Sequence, residues 1–484
     1  MSRGDGTVMS SGLDALFSRE VKGRVILVEG NPGTGKTILS TQYLYDGAMH
    51  GEKGMYVSFF EDDNSFRHNA KSLGLDMAPL ERKKLFKIVH CIAMTREGMR
   101  ESIGDIFRAI LTFKPRRLVF DSISSVLQVM EQDETRAFLG TIFGDFRHRE
   151  MTSLLIGEIP FGDGHTVDGV TDFFADGVVR LNRTDESPHL LPRNRLRNLE
   201  ILKMRGMRLT EPNRFFSLEN GFHLINRPST SETNKPTPWK TVKDADSKFS
   251  SGSKDLDKFL GGGFPKGQYA VLETDPNVPI EVIRLFQFPL AWNFLSQDRS
   301  VLMLPTLGAE SEEIKKLVTA HISEEVFARR MRIFERVRAI SRLHMGEGPS
   351  YVISAKPGEP IEKTEELLNQ ICLDMISETG KPVLRLIGFP TLENIYAGRL
   401  DLLLKFIGEA VAQNKLVGNF TLAVSRTDVE VTRRALDIVD WHLRLIERNG
   451  YHFVRVVKPE PTGYFAVETE ASQGCPTLKL TPMV

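Results

Sequence analysis

The chain has 484 residues, of which 41% are hydrophobic and 26% are charged, and its 63 basic side chains are balanced by 63 acidic ones. A chain of this length and composition can form two or three globular domains, each with a core of its own. The formal net charge of zero excludes a generally basic, nucleic-acid-binding surface, and leaves room only for a local basic patch.

Cysteine usage and hydropathy indicate the cellular compartment in which we expect the protein. Cys91, Cys372 and Cys475 are spaced neither as zinc ligands nor as a disulfide framework, which favours a reducing environment. No window of the sequence approaches the roughly 18 consecutive apolar residues of a membrane helix. Residues 1–11 are polar and glycine-rich, and lack the apolar stretch of a signal peptide. We therefore expect a cytoplasmic protein without a membrane partner.

Short apolar segments alternate with helical patterns through the first half of the chain. The pattern predicts strands at 24–29, 54–60, 86–90, 117–120 and 153–156, and helices at 36–50, 65–73, 99–113 and 135–149. Nearly continuous apolar strands separated by helices indicate an α/β fold, with a parallel sheet covered by helices on both faces. Ligands bind such sheets where the strands end, so residues that follow the strands are the candidates for a site.

A glycine-rich turn joins the first predicted strand to the first predicted helix. Its residues match the pattern G-x-x-x-x-G-K-[ST], in which glycines let several backbone N–H groups face a phosphate at a helix N-terminus. Lys36 would supply a charge to the outer phosphates of ATP, and Thr37 would supply a hydroxyl to Mg²⁺. The predicted nucleotide-binding residues are Gly30, Asn31, Pro32, Gly33, Thr34, Gly35, Lys36, Thr37 and Ile38.

Carboxylates follow two other predicted strands of the same sheet. Asp121 is predicted to hold Mg²⁺ together with Thr37, and a helix N-cap is the structural alternative for it. Glu61 could orient and deprotonate the water that attacks ATP, and a solvated acidic loop is the alternative for it. Asp62 and Asp63 compete with Glu61 for the role of the base.

The pattern restarts in the second half of the chain. A polar segment at 227–248, rich in Pro, Ser and Thr, is interpreted as a linker between a domain at 1–226 and a domain at 249–484, and a long surface loop is the alternative. Three segments of the second half resemble segments of the first half in the same order: 256–260 and 13–17, 266–273 and 22–29, 437–445 and 174–181. We infer an internal duplication, with chance similarity between two α/β domains as the alternative.

The motifs of the first half together resemble the KaiC-like branch of the RecA superfamily. The likeness covers nearly the whole first half, through residues 12–14, 47–48, 56–59, 69–74, 119–122, 176–181 and 199–206. The second half is similar more weakly, through 261–267. The resemblance implies two tandem RecA-like P-loop domains, each a mainly parallel sheet flanked by helices. It also implies an ATPase that uses ATP and Mg²⁺ and forms a homo-oligomer, with a hexameric ring as the form that the family implies.

The resemblance implies roles for further residues. KaiC-like domains carry two acidic residues after the second strand, of which the second is the general base. Here the pair reads Phe60-Glu61, so Glu61 takes that role and loss of the first carboxylate is expected to slow hydrolysis. Lys203 and Arg205 match a Lys-x-Arg pair that reaches a neighbouring subunit's phosphates, where it would stabilise the transferring phosphoryl group. Without the resemblance, two charges on an exposed strand face would be the preferred interpretation.

The autokinase activity of KaiC is not expected here, because residues 171–173 lack the adjacent Ser and Thr that KaiC phosphorylates. The second half has lost its nucleotide site in three places. Ile280 and Glu281 stand where a P-loop has its lysine and hydroxyl, Gly388 stands at the Mg²⁺ aspartate, and 458–460 replaces the Lys-x-Arg pair. A carboxylate in the loop would repel phosphate. We predict that this half does not bind ATP in the usual way, and instead stabilises the assembly or binds a partner.

Two arginine clusters remain. One contains Arg193, Arg195 and Arg197, and the other contains Arg329, Arg330, Arg332, Arg336, Arg338 and Arg342. The second is typical of an amphipathic helix with a basic face, which is either solvated or a docking surface for an acidic protein or nucleic acid. A P-loop domain followed by arginine-rich regions is similar to the archaeal gas-vesicle regulator family.

The leading hypothesis is a regulatory ATPase that switches an oligomer between partner-binding states, with a regulatory protein of unknown identity as partner. The first alternative is a nucleic-acid-dependent RecA-type ATPase in repair or recombination. Zero net charge and the lack of a recognisable helix-turn-helix or zinc module count against it. The second alternative is a scaffold that uses ATP only to assemble.

Overall fold

The computed structural model describes residues 23–59, 61–91, 96–128, 130–159, 169–185, 195–206, 208–209, 211–229, 236–306, 310–335, 349–354, 361–396, 399–427, 430–470 and 475–484. The chain divides into two compact units, Met1–Ile225 with Pro482–Val484, and Asn226–Thr481. Several residues on which the sequence analysis relied lie outside the described ranges: 12–17 and 22, Phe60, Arg193, Arg336, Arg338 and Arg342.

The described residues of the first unit form one sheet of nine strands. These are β1 (Val25–Gly30), β2 (Gly54–Ser58), β3 (Phe86–His90), β4 (Arg117–Asp121), β5 (Thr152–Glu158), β6 (Gly177–Asp185), β7 (Arg195–Met204), β8 (Asn213–Ser217) and β9 (His223–Leu224). Neighbours follow the order β3-β2-β4-β5-β1-β6-β7-β8-β9. In this sheet order, the first six strands, β3-β2-β4-β5-β1-β6, are parallel to their neighbours. The last four, β6-β7-β8-β9, pair antiparallel. The P-loop therefore follows a central strand that has parallel neighbours on both sides.

Helices cover both faces of this sheet. They are α1 (Lys36–Met49), α2 (Asp63–Ser72), α3 (Ala78–Arg82), α4 (Arg96–Phe113), α5 (Ile123–Leu127), α6 (Gln132–His148) and α7 (Gly169–Phe174). Along β1, Ile26 and Val28 join the core that contains α1, α2 and α3. Val25 and Leu27 join the opposite core, with α4, α5 and α6. Successive side chains of a strand point to opposite faces, so an all-apolar strand is buried on both sides.

The described residues of the second unit form a sheet of ten strands and a separate pair, β10 and β11. The strands are β10 (Lys248–Phe249), β11 (Phe264–Pro265), β12 (Tyr269–Thr274), β13 (Val301–Leu304), β14 (Met331–Phe334), β15 (Val352–Ile353), β16 (Leu384–Gly388), β17 (Phe420–Arg426), β18 (Trp441–Arg448), β19 (Tyr451–Lys458), β20 (Phe465–Glu470) and β21 (Thr477–Pro482). The large sheet has the order β15-β14-β13-β16-β17-β12-β18-β19-β20-β21.

The two sheets share one topology. From β14 to β20 the second sheet repeats, strand for strand, the order from β3 to β8 in the first. Strand β12 has parallel neighbours β17 and β18, as β1 has β5 and β6. This shared order confirms the predicted fold class of two tandem RecA-like α/β domains with mostly parallel sheets.

The helices of the second unit complete its layers. They are α8 (Lys254–Phe259), α9 (Ile280–Leu295), α10 (Ser311–Thr319), α11 (Glu324–Arg330), α12 (Ile361–Thr379), α13 (Phe389–Tyr396), α14 (Leu400–Val417) and α15 (Glu430–Ile438). Across the described ranges, no helix is both long enough and apolar enough to span a lipid bilayer.

The segment at 227–248, predicted as a linker, packs on the second unit in its described part. The backbone N–H of Val242 donates to Asn293 Oδ1 at 2.8 Å, and that of Trp239 donates to the carbonyl of His321 at 2.9 Å. The ring of Trp239 lies 5.3 Å from that of Trp292. These residues are therefore a structured part of the second unit. The domain boundaries at 226 and 249 stay predictions.

The amphipathic basic helix predicted around 329–342 is wrong in its described part. Helix α11 ends at Arg330, and Met331–Phe334 forms the buried strand β14, because its alternating apolar side chains fit a pleated sheet. Arg330 is buried and pairs with Asp298 at 2.9 Å, and Arg329 pairs with the same carboxylate at 3.1 Å. These charges are partly neutralised within the unit, so the described residues do not form an uninterrupted basic face.

Candidate nucleotide site

The P-loop lies between the end of β1 and the start of α1, as predicted. Gly35 precedes the helix with a φ of 104°, in the left-handed region that side chains rarely adopt. At Gly30, a Cβ would lie 2.5 Å from the carbonyl oxygen of Leu181 on β6. Between them, Asn31, Pro32 and Gly33 are exposed. The loop thus requires glycine at both ends.

The inner residues of the loop are tied to its backbone. Thr34 is buried, and its hydroxyl donates to the carbonyl of Asn31 at 2.8 Å. Ile38 lies half-buried in the first turn of α1, against the core on that face. The exposed backbone of Asn31 and Gly33 at the helix N-terminus is the kind of surface that binds phosphate.

Lys36 is buried and lies inside the loop. Its Nζ donates to the carbonyl oxygens of Gly30 at 2.7 Å and Asn31 at 3.1 Å. Burial lowers the pKa of Lys36, and the charges of Glu158 and Asp121 oppose that shift. A phosphate bound by the loop would compete with these carbonyls for the ammonium group.

The structure brings the two predicted metal residues together. Thr37 Oγ1 donates to Asp121 Oδ2 at 3.1 Å. Burial raises the pKa of Asp121, and hydrogen bonds from Tyr56 and Thr37 counteract that shift. A hydroxyl and a carboxylate at this separation are hard oxygen donors of the type that Mg²⁺ prefers, so the residues fit the ion. The alternative of an N-cap does not hold for Asp121, because Ser122 occupies the cap position of α5.

The three acidic residues after β2 have different surroundings. The side chain of Asp62 caps α2 by accepting from the N–H groups of Asn64 and Ser65 at 2.9 and 3.1 Å. The hydrogen bonds from Ser65 hold the pKa of Asp62 below its ordinary value. Asp63 lies in the first turn of α2 and pairs with Arg67 at 3.3 Å. Structural roles thus account for Asp62 and Asp63.

Glu61 is held at the same edge of the sheet by other contacts. Its Oε1 accepts from Asn69 Nδ2 at 2.5 Å, and its backbone is joined to the hydroxyl of Ser58 in both directions. Ser58 is the partner of Asp121 in the register between β2 and β4. Glu61 therefore begins the loop beside the predicted metal residues, and is the better candidate for the base.

Lys203 and Arg205 are not near the P-loop of their own chain. Lys203 Nζ donates to the carbonyl of Asp172 at 2.6 Å, and Arg205 Nη2 donates to that of Phe173 at 2.9 Å. Burial, followed by the charge of Arg205, lowers the pKa of Lys203. The register places their segment beside the amino end of β1, because Met204 pairs with Gly177, which pairs with Ile26. At about 3.3 Å per residue, the four residues from there to Gly30 span about 13 Å.

Two residues that the sequence analysis did not assign to the site contact it. Tyr56 donates its hydroxyl to Asp121 Oδ2 at 2.5 Å, and this contact depends on the adjacency of β2 and β4. Arg197, which the sequence pattern places only in a basic cluster, donates through Nη1 to the carbonyl of Gly33 at 2.9 Å. Arg197 Nε also donates to the carbonyl of Val484, which belongs to the same unit. Neither contact has a signal in local sequence.

The corresponding edge of the second unit has different chemistry. Asp275, directly after β12, pairs with Arg448 at 3.2 Å and with Arg444 at 3.8 Å. At Gly388, in the place of the metal aspartate, a Cβ would lie 2.8 Å from the Cα of Thr306. There is no room for a carboxylate at Gly388, and the first residue of the loop is an acidic residue in ion pairs. This geometry supports the prediction that the second site is lost.

The two halves of the chain match different protein families. Residues 8–226 match the family described as "ATPase: KaiC", and residues 238–484, just over half of the chain, match "GvpD basic region 2". Circadian clock protein KaiC3 of Synechocystis sp. is 27% identical over 253 residues, which are 50% of this chain and 48% of the relative. The circadian clock oscillator protein KaiC of Synechococcus elongatus is 31% identical over 258 residues, 50% of this chain and 47% of the relative.

A further relative matches both halves. Protein GvpD2 of Halobacterium salinarum is 22% identical over 511 residues, 97% of each chain. The alignment to the KaiC relatives, by contrast, spans about half of their length. The chain therefore belongs to the family described as GvpD basic region 2, and its first half is a KaiC-like ATPase domain.

Proposed function

We propose that the first unit binds Mg·ATP and hydrolyses it slowly, and that the bound nucleotide switches an oligomer of this chain between partner-binding states in the cytoplasm. The observation that carries this proposal is the contact of 3.1 Å between Thr37 and Asp121 directly behind a complete P-loop. The match of the first unit to the KaiC ATPase family supports the same activity.

The chemistry assigns one task to each group. The loop backbone and Lys36 bind the phosphates, while Thr37 and Asp121 hold Mg²⁺, which offsets the negative charge that develops on the phosphates. Glu61, oriented by Asn69, accepts a proton from the attacking water. Autokinase activity is not part of the proposal. Thr171, the one hydroxyl residue at 171–173, is only 4% exposed.

The surface around Lys203 and Arg205 supports an oligomer. Phe173, which is 70% exposed, accepts a hydrogen bond from Arg205 through its carbonyl, and Leu202, which is 43% exposed, directly precedes Lys203 in sequence. An apolar and cationic surface at the amino edge of the sheet suits contact with the carboxyl edge of a second copy. The pair would then reach the neighbour's phosphates, which accounts for its distance from its own P-loop. The family resemblance makes a hexameric ring the preferred assembly.

The second unit is proposed to stabilise the assembly or to hold a regulatory protein partner. A nucleic-acid motor is the second candidate, and the pairing of Arg329 and Arg330 with Asp298 counts against it. Stimulation of ATP hydrolysis by DNA would favour it instead.

Light scattering after size-exclusion chromatography, with and without Mg·ATP, tests the proposal. We expect wild type to form a ring-sized species with Mg·ATP and to release phosphate. Arg205→Ala should release phosphate at least tenfold more slowly, since a cation supplied from a neighbour contributes about 10³-fold or more in related enzymes. Arg108→Ala, which removes an exposed arginine of the same unit, is the control. A wild type that stays monomeric and still hydrolyses ATP would contradict the shared site.

A further inference from the structure

Tyr56 lies in the middle of β2 and is 1% exposed. Its ring packs 4.5 Å from that of Phe66 and belongs to the core under α1. Its backbone is in register with Val119, and Ser58 is in register with Asp121. Tyr56 and Asp121 therefore share one face of the sheet, two residues apart, and an aromatic side chain can span this diagonal.

The hydroxyl group of Tyr56 is therefore placed at the metal residues. It donates to Asp121 Oδ2 at 2.5 Å, the same oxygen that accepts from Thr37 at 3.1 Å. A tyrosine hydroxyl is protonated at neutral pH, so it acts as the donor to the Asp121 carboxylate.

We propose that Tyr56 is a positioning residue of the magnesium site. Its hydroxyl fixes Asp121 Oδ2 and leaves the other carboxylate oxygen for the water shell of the ion. This inference rests on the proposed function, because it assumes that Thr37 and Asp121 hold Mg²⁺. It goes beyond that function by assigning a role to a residue outside the P-loop that acts through Asp121.

The hydroxyl and the ring of Tyr56 have separate roles. The ring fills the core, and phenylalanine would fill it equally well. The hydroxyl makes a hydrogen bond to a charged group, and such partners of metal ligands typically contribute 10- to 100-fold in metal affinity. Tyr56→Phe should therefore raise the Mn²⁺ concentration for half-saturation about tenfold, while leaving metal-free nucleotide binding unchanged.

Mn²⁺ serves as the probe, because its binding can be followed by electron paramagnetic resonance without any turnover. Wild type, Tyr56→Phe and Tyr43→Phe are titrated with Mn²⁺ in the presence of a non-hydrolysable ATP analogue. Tyr43→Phe is the matched control: Tyr43 is a buried tyrosine of the same core, with Arg117 placed over its ring. We expect Tyr43→Phe to titrate like wild type. Nucleotide affinity in the presence of EDTA should be equal in all three proteins.

The outcomes separate the two proposals. If wild type binds no Mn²⁺ with the analogue, the proposed function fails. If wild type binds Mn²⁺ and Tyr56→Phe titrates like Tyr43→Phe, the role of Tyr56 is wrong while the proposed function stands. The comparison is repeated on Asp121→Asn, where Tyr56→Phe should have no further effect. A further loss of Mn²⁺ affinity on that background would mean that Tyr56 does not act through Asp121, which overturns the inference.

Discussion

At the scale of single residues, the carboxylates after β2 differ in what their neighbours leave them to do. Asp62 accepts three hydrogen bonds from Asn64 and Ser65, and so starts α2. Among the described hydrogen bonds, the Glu61 carboxylate accepts one, from Asn69 to Oε1. Two carboxylates one residue apart thus differ: that of Asp62 caps helix α2, and that of Glu61 is the candidate for catalysis.

A pair of substitutions tests this distinction. Glu61→Gln should lower kcat by at least 10²-fold with little change in ATP affinity, because general-base catalysis typically contributes 10²- to 10⁴-fold. Asp62→Ala should lower the midpoint of denaturant unfolding, as the loss of an N-cap does, and should retain most of the activity. Phosphate release and denaturant unfolding measure the two effects. The opposite pattern, with activity lost in Asp62→Ala and retained in Glu61→Gln, would make Asp62 the base.

At the scale of elements, the turn from β1 into α1 depends on glycine for steric reasons. Gly30→Ala would place a methyl group 2.5 Å from the carbonyl oxygen of Leu181, and relieving this clash would require a movement of the backbone. We expect a loss of roughly 1–3 kcal/mol in the free energy of unfolding, together with weaker ATP binding. Gly104→Ala, at an exposed position inside α4 with nothing within 4 Å, is the control. It should stabilise the protein by roughly 0.5–1 kcal/mol. Equal effects of the two changes in denaturant unfolding would contradict the steric argument.

Elements also show what sequence can and cannot predict. The strand at 117–120 was predictable, because Leu118, Val119 and Phe120 form a continuous apolar run that is buried on both faces of the sheet and ends at Asp121. The helix predicted around 329–342 is wrong in its described part, because the arginines at 329–334 are interspersed with apolar residues at spacings that also fit a strand, and β14 pairs with β13. The contact of Tyr56 with Asp121 was out of reach, since it depends on which strands are neighbours.

At the scale of the whole molecule, a shared topology contrasts with divergent chemistry. Both sheets place a strand at the same central position, but only β1 is followed by the P-loop sequence at 30–37. In the second unit the central strand is followed by the acidic Asp275, paired with two arginines. The core of a sheet accepts many apolar substitutions without loss of the fold, whereas a phosphate site accepts few substitutions without loss of binding. The same fold can therefore be kept without the residues of a phosphate site.

This contrast predicts the stoichiometry of nucleotide binding. Isothermal titration calorimetry with Mg²⁺ and a non-hydrolysable ATP analogue should give one nucleotide per chain. The second unit has no glycine-rich phosphate loop after β12, and there is no space for a carboxylate at position 388. Lys36→Ala should abolish that one event, while the second unit stays folded. Lys266→Ala, a lysine of the second unit that lies over Phe249, is the control and should keep a stoichiometry of one. Two nucleotides per wild-type chain, with one retained in Lys36→Ala, would show that the second unit binds ATP by a route other than the P-loop.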